Sequence, residues 1–292
     1  MDELSDVNSI ATKEELREIG KKNPFTGSEG RVVSRDGVVA GLLRRVLLFG
    51  YYHWIEQHIP SGARVLDFGC GGGTAWLAKR YQVTGLEACD DSVRACARLY
   101  QEAFCGDICR TAFAAESFDG VVSKFVLEHL PAEAAAEAFA EILRVLKPGG
   151  SLICLCDLEC DHPQLAWVRR HYPETYHRLY VLDPGHVGLR RADEWNALLQ
   201  SAGFEIMAWR ETSRFPLLDH HPVGQLAKAP ELPFPARWLG AIGLRAASVT
   251  PLVRLWTLAT SLLEASVGRC LPRRWAYRLV FAARKPEAER RH

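Results

Sequence analysis

A chain of 292 residues, 48% hydrophobic and 24% charged, can bury a full core and has the balance of an ordinary globular protein. Its formal net charge of +1 argues against a dedicated nucleic-acid binder, and no run of 18 uncharged apolar residues predicts a membrane span. The first residues, Met1–Asp6, have neither the basic nor the apolar part of a leader, and the nine cysteines fall mostly in or beside predicted core elements. The expected setting is therefore cytoplasmic and reducing.

Thr12 and Glu15 form a capping box that opens a short helix, and apolar residues at helical spacing from Val39 to Ile55 predict a second helix over Gly37–His58. Pro60-Ser61-Gly62 leads into the apolar run Arg64–Phe68, read as a buried strand. It ends at Asp67-Phe68 and is followed at once by Gly69-Cys70-Gly71-Gly72-Gly73. Helix Thr74–Tyr81, strand Gln82–Leu86, helix Asp90–Tyr100, strand Glu102–Cys105, strand Asp119–Lys124, helix Pro131–Leu146 and strand Ser151–Leu158 come next. This alternation predicts an α/β fold with a parallel, doubly wound sheet. Beyond it, Glu159–Pro184 reads as an insertion with one helix, Ala192–Ala202 as a helix, Phe204–Arg210 as a strand and Glu211–Pro235 as irregular. Ala236–Val249 and Pro251–Val267 are helical, with Thr250 as N-cap of the second, and Trp275–Ala283 is a last strand.

A glycine-dense turn between strand and helix lets the backbone close on a nucleotide-like ligand. The dinucleotide fingerprint wants glycine at its sixth place, where this chain has Thr74. Asp67 would repel a pyrophosphate but attract an ammonium group. Glu87, twenty positions on, can accept hydrogen bonds from two ribose hydroxyls or cap the Asp90 helix. Gly106-Asp107-Ile108 offers an acceptor for an exocyclic amine beside an apolar side chain.

In order, these stretches resemble class I S-adenosylmethionine (SAM) dependent methyltransferases. Val65–Gly73 is similar to the family's first motif, Glu87 to its ribose-binding acid and Asp107-Ile108 to its adenine-side pair. Ser117–Ser123, Val126–Leu130, Glu141–Gly150 and Gly185–Val187 with Ala192–Phe204 match later stretches in register. The resemblance implies a Rossmann-like, mostly parallel seven-stranded sheet; the chain departs from the family in having Glu rather than Asp at 87 and in the helical insertion Glu211–Arg274 before the last strand. It implies N-terminal helices over residues 1–60, a SAM-binding core over 61–210, a helical lid or substrate segment over 211–274, the last strand over 275–285 and a tail over 286–292. The cofactor would be SAM, released as S-adenosylhomocysteine. It would be held by Asp67, Gly69, Cys70, Gly71, Glu87, Ala88, Asp107, Ile108, Ser123 and Lys124. The implied reaction is methyl transfer to a small-molecule acceptor, with O-methylation favoured. The alternative is a protein of this fold that has lost catalysis and acts as a binding or scaffold subunit.

Candidate bases for a hydroxyl acceptor are His129, His186 and Asp157, each of which can equally serve a structural hydrogen bond. Cys154, Cys156, Cys160 and His162 lack the paired spacing of a zinc site, so no metal is expected. Between Leu232 and Pro286 nine Lys or Arg stand against Glu264 alone, a net +8 that leaves −7 for the rest. The late helices are unusually apolar. They read either as a lid over a hydrophobic or lipid-like acceptor, or as a basic amphipathic surface making peripheral membrane contact through residues 236–274.

Overall fold

The computed structural model describes residues 50–216 and 220–287. The expected capping-box helix after Thr12 and most of the expected Gly37–His58 helix lie outside the described residues. One seven-stranded sheet has the order β3-β2-β1-β4-β5-β7-β6. Strands β1 (Arg64–Phe68), β2 (Gln82–Glu87), β3 (Glu102–Cys105), β4 (Phe118–Lys124) and β5 (Leu146–Asp157) are parallel. Strand β7 (Arg278–Arg284) runs antiparallel between β5 and β6 (Glu205–Thr212).

The helices are α1 (Tyr51–His58), α2 (Ala75–Arg80), α3 (Asp90–Cys96) and α4 (Ala132–Val145), then α5 (Pro163–His171) and α6 (Pro173–His177) after β5. After them come α7 (Ala192–Ser201), α8 (His220–Gln225), α9 (Phe234–Ser248) and α10 (Thr250–Ser266).

Side chains alternate along each strand, so both sheet faces are apolar and both are covered. Val65, Val83, Val122, Ile153, Leu155 and Val280 meet Tyr51, Tyr52, Trp54 and Ile55 of α1. On the other face Leu66, Phe68, Val121, Leu152 and Phe281 lie under α4 and α7. Helix α4 supplies Ala135, Ala138, Phe139, Ile142 and Val145 at helical spacing, all fully buried. Each such Phe or Ile contributes about 2 kcal/mol by leaving water.

Helices α2 and α3 join α1 on its face through Trp76, Leu77 and Cys96, and the helices after β5 other than α7 form a third layer with its own core of Leu165, Val168, Leu179, Tyr180, Val223, Leu226, Ala229 and Leu232. This layer joins the sheet where β5 ends and β7 begins: the Leu158 and Asp161 amides donate to the carbonyls of Tyr277 and Arg274. That is the end of the sheet at which the β1 loop also emerges.

The structure corrects five local expectations. Strand β5 begins at Leu146, which pairs with Phe118 before a bulge, and regular pairing resumes at Ser151. The segment after β5 holds two helices rather than one. Residues 211–235 are not irregular throughout, because Val223, Leu226, Ala229 and Leu232 bury at three-residue spacing along α8, the 3₁₀ turn Leu226–Lys228 and the chain that follows it. Finally, Pro272 opens a 3₁₀ turn over Arg273–Trp275, delaying the last strand to Arg278, and Thr250 is the first residue of α10 while Val249 holds the cap position.

Candidate active site

Strand order reverses between β1 and β4, and a parallel sheet opens a crevice at the carboxyl end of its strands at such a point. The glycine loop sits there. Gly69 has φ +78°, and a Cβ on it would lie 2.3 Å from a methyl group of Val126, so only glycine lets the loop pass beneath the turn that follows β4.

Asp67 is buried, and the Tyr100 hydroxyl donates to its Oδ2 at 2.5 Å. The same phenol oxygen accepts the Thr74 amide at 2.7 Å, so Tyr100 clamps the strand end to the far side of the loop. Its ring reaches this position beside Gly85, which pairs with Asp67 on the neighbouring strand. Burial raises the Asp67 pKa to about 6, against the lowering effects of the Tyr100 hydrogen bond and the Lys124 charge; the Glu87 charge adds to the rise.

At the tip of β2, Glu87 accepts the Gly71 amide at Oε2 (2.9 Å) and the Ala88 amide at Oε1 (2.8 Å). The Gly69 and Cys70 amides both donate to the Leu86 carbonyl. The loop amides thus rigidify the turn instead of aiming at a ligand, as the glycine pattern alone had led us to expect. Asp107 accepts the Cys109 amide at 2.9 Å, which fixes the turn after β3 with half-buried Ile108 beside it. Ser123, near the end of β4, has a fully buried hydroxyl with no partner among the described residues.

Beyond β4 the chain makes a 3₁₀ turn, Leu127–His129, entered through Phe125 at φ +57°. His129 and His186, which are 57 positions apart, are brought together with ring centroids 4.9 Å apart. His129 Nδ1 lies 3.0 Å from the Gly185 carbonyl. Burial lowers the His129 pKa from the ordinary value, while hydrogen bonds to the Gly185 and Phe125 carbonyls and the Asp157 charge oppose the shift. The loop carrying His186 is pinned from below by the Gly188 amide, which donates to the Glu128 carbonyl at 2.8 Å.

Asp157 does not stand free. Arg278 donates to it at 3.0 Å in an ion pair whose side chains are 4% and 7% exposed, between the Phe125 and Tyr277 rings. Glu128 is fully buried beside this pair. Burial and the Asp157 charge push its carboxyl well above the usual range, which favours its neutral form.

Ligand atoms of Glu128, His129 and His186 lie within 4.8 Å of one another, close enough together to hold a cation. The four residues weighed for zinc are otherwise engaged. Cys154 and Cys156 face the main core, Cys160 packs in the third layer, and His162 Nδ1 accepts the Gln164 amide as the N-cap of α5.

Residues 66–154 match the family model "Methyltransferase domain". Over residues 66–154 the chain carries a methyltransferase domain, and the sheet around it has the class I fold. Over 139 residues the chain is 34% identical to "Demethylmenaquinone methyltransferase" of Lactiplantibacillus plantarum, covering 41% of this chain and 58% of the relative. Over 162 residues it is 29% identical to "24-methylenesterol C-methyltransferase 2" of Oryza sativa subsp. japonica, covering 50% of this chain and 42% of the relative. The chain thus spans about half the length of these curated relatives. The crystal structure of "the [4+2]-Cyclase SpnF" superposes with a TM-score of 0.51 at 22% identity, over 87% of this chain and 85% of that one, a likeness of fold.

Three carboxylates (Asp67, Glu87, Asp107) stand at the tips of β1 and β2 and just beyond β3, a set of acceptors whose charge suits a cofactor with a cationic end. The orphaned Ser123 hydroxyl lies on the adjoining strand. Tyr100, Glu128 and Arg278 escaped the sequence reading. Glu128 could have been found as the acid beside His129 in Val126–Leu130, whereas nothing in the sequence marks the other two.

Proposed function

We propose that this protein transfers the methyl group of SAM to a hydroxyl oxygen of an apolar small molecule, bound between the glycine loop and the third-layer helices. One observation carries the reading: two histidines meet just beyond β4, the strand beside the glycine loop, and burial keeps His129 in its neutral, proton-accepting form at pH 7. SAM supplies a methyl group already activated on a sulfonium. The chain's own residues therefore need to align the acceptor, exclude water and hold one proton.

In this reading the hydroxyl oxygen forms its bond to carbon as the sulfur–carbon bond breaks, and the hydroxyl proton passes to a ring nitrogen of His129. Glu128, buried, holds the His186 loop through its backbone carbonyl. Asp157 acts through Arg278 as a positioning group rather than as the base. The apolar acceptor is supported by the relatives' names, which specify a menaquinone precursor and a sterol.

The test is transfer of isotopically labelled methyl groups from SAM to a panel of apolar phenols, quinols and sterols. We expect an O-methyl product, and His129→Gln should lower kcat at least 100-fold with S-adenosylhomocysteine affinity retained. The rate should be flat above pH 6.5 and fall only on the acid side of it, because the base must be deprotonated and its pKa is lowered. A carbon-methylated product would overturn the hydroxyl reading. Cofactor binding with no turnover on any acceptor would identify a scaffold protein instead.

A further inference from the structure

Helices α9 and α10 are amphipathic the wrong way round. On α9 the fully buried residues are small, Gly240, Gly243 and Ala246, with Ala236 and Leu239 packed partly against the third layer. A Cβ on Gly240 would sit 2.3 Å from the Ala227 amide nitrogen, so the helix axis lies close on the turn below. The large apolar side chains face away, with Phe234 69% exposed, Trp238 58% and Ile242 37%, and Val249 lies outward just past the helix. On α10 the buried face holds Thr260, Ser261 and Glu264, while Leu252, Leu255 and Leu262 are 45%, 63% and 52% exposed. These exposed positions recur at the spacing of one helical face. Monomeric proteins rarely leave so continuous an apolar surface uncovered.

The surrounding charge selects the covering. Arg245, Arg269, Arg273 and Arg274 are exposed on these helices and just beyond them. The one acid of the segment, Glu264, is turned inward, accepting the Arg214 and Phe215 amides at 2.8 and 3.0 Å. A second copy of the chain meeting this face about a twofold axis would bring its arginines against these ones. An anionic bilayer takes both features at once, with apolar side chains in the acyl boundary and guanidinium groups among the headgroups. We propose that α9 and α10 dock the protein on the surface of an anionic lipid bilayer, with Trp238 and Leu255 as the inserted anchors. This docking does not depend on the methyl-transfer reading.

The experiment is cosedimentation of the full chain with vesicles of phosphatidylcholine alone or with 30% phosphatidylglycerol, without acceptor. Binding should be at least tenfold tighter to the anionic vesicles and weaken with added salt. The Trp238→Asp/Leu255→Asp double variant should lose it while keeping S-adenosylhomocysteine affinity, which reports that the core is folded. Arg245→Glu/Arg273→Glu should abolish the preference for anionic lipid. Failure of the full chain to bind either vesicle overturns the proposal. So does a dimer in solution that Leu255→Asp dissociates, since the face would then belong to a second copy.

Discussion

Asp67 holds a charge in a place that resists one. Its folded pKa of about 6 lies above the ordinary 3.8, so burial contributes stability only while the group is protonated. That contribution is complete below pH 3.8 and is lost as the pH rises through 6, leaving the ionised apo protein roughly 3 kcal/mol less stable than a neutral isostere would be. Asp67→Asn should therefore raise the melting temperature of the cofactor-free protein at pH 7.5 and flatten its pH dependence between 4 and 6. Affinity for SAM should fall at least tenfold in the same variant, because the cationic end of the cofactor would lose its counter-charge. Calorimetry on both states checks the two signs together. The acids at 67, 87 and 107 are legible in sequence because each ends or follows a predicted strand. Tyr100 is not, since its partner Asp67 lies 33 residues away and the space for its ring depends on Gly85 of an intervening strand.

Among the elements, the two-histidine site depends on how the Gly185–Arg190 loop lies on the turn after β4. Gly188 is the point of contact: a Cβ there would stand 1.9 Å from the Leu130 carbonyl oxygen, and backbone has nowhere to yield. Arg190 braces the same loop by donating to the Gly188 and Leu130 carbonyls at 2.7 and 3.1 Å. Gly188→Ala should lift the loop, cost about 3 kcal/mol in urea unfolding and lower kcat by separating His186 from His129. Affinity for S-adenosylhomocysteine should be unchanged, because the glycine loop lies on the other side of Val126. Sequence periodicity located the core helices well because α4 repeats its apolar residues over four turns. It missed α8 because six residues are too few to establish a period and the neighbouring prolines read as loop.

At the scale of the molecule, Arg278 ties together parts that are remote in the chain. It joins β7 to the end of β5 across 121 positions, lies on the Phe125 ring beyond β4, and neutralises Asp157 beside the buried Glu128. Arg278→Met would leave Asp157 buried without a cation, and a loss of 3–5 kcal/mol is expected, measured by denaturant titration. Adding Asp157→Asn should recover part of it, since the uncompensated charge disappears with its partner. The division of charge into a basic late segment and an acidic remainder was legible from composition alone. Which way the late helices face was not, because apolar spacing predicts a stripe without saying whether it points in or out.

The antiparallel strand between β5 and β6 also dictates an order of events. Strand β6 pairs only with β7, and β7 follows β6 in the chain by some 65 residues. During synthesis β5 therefore keeps an open edge, and β6 has no sheet to join, until both α9 and α10 have left the ribosome. The outward apolar face of these helices is exposed before the core beneath it can close, which makes α9 and α10 the stretch most in need of a chaperone while the chain is still growing.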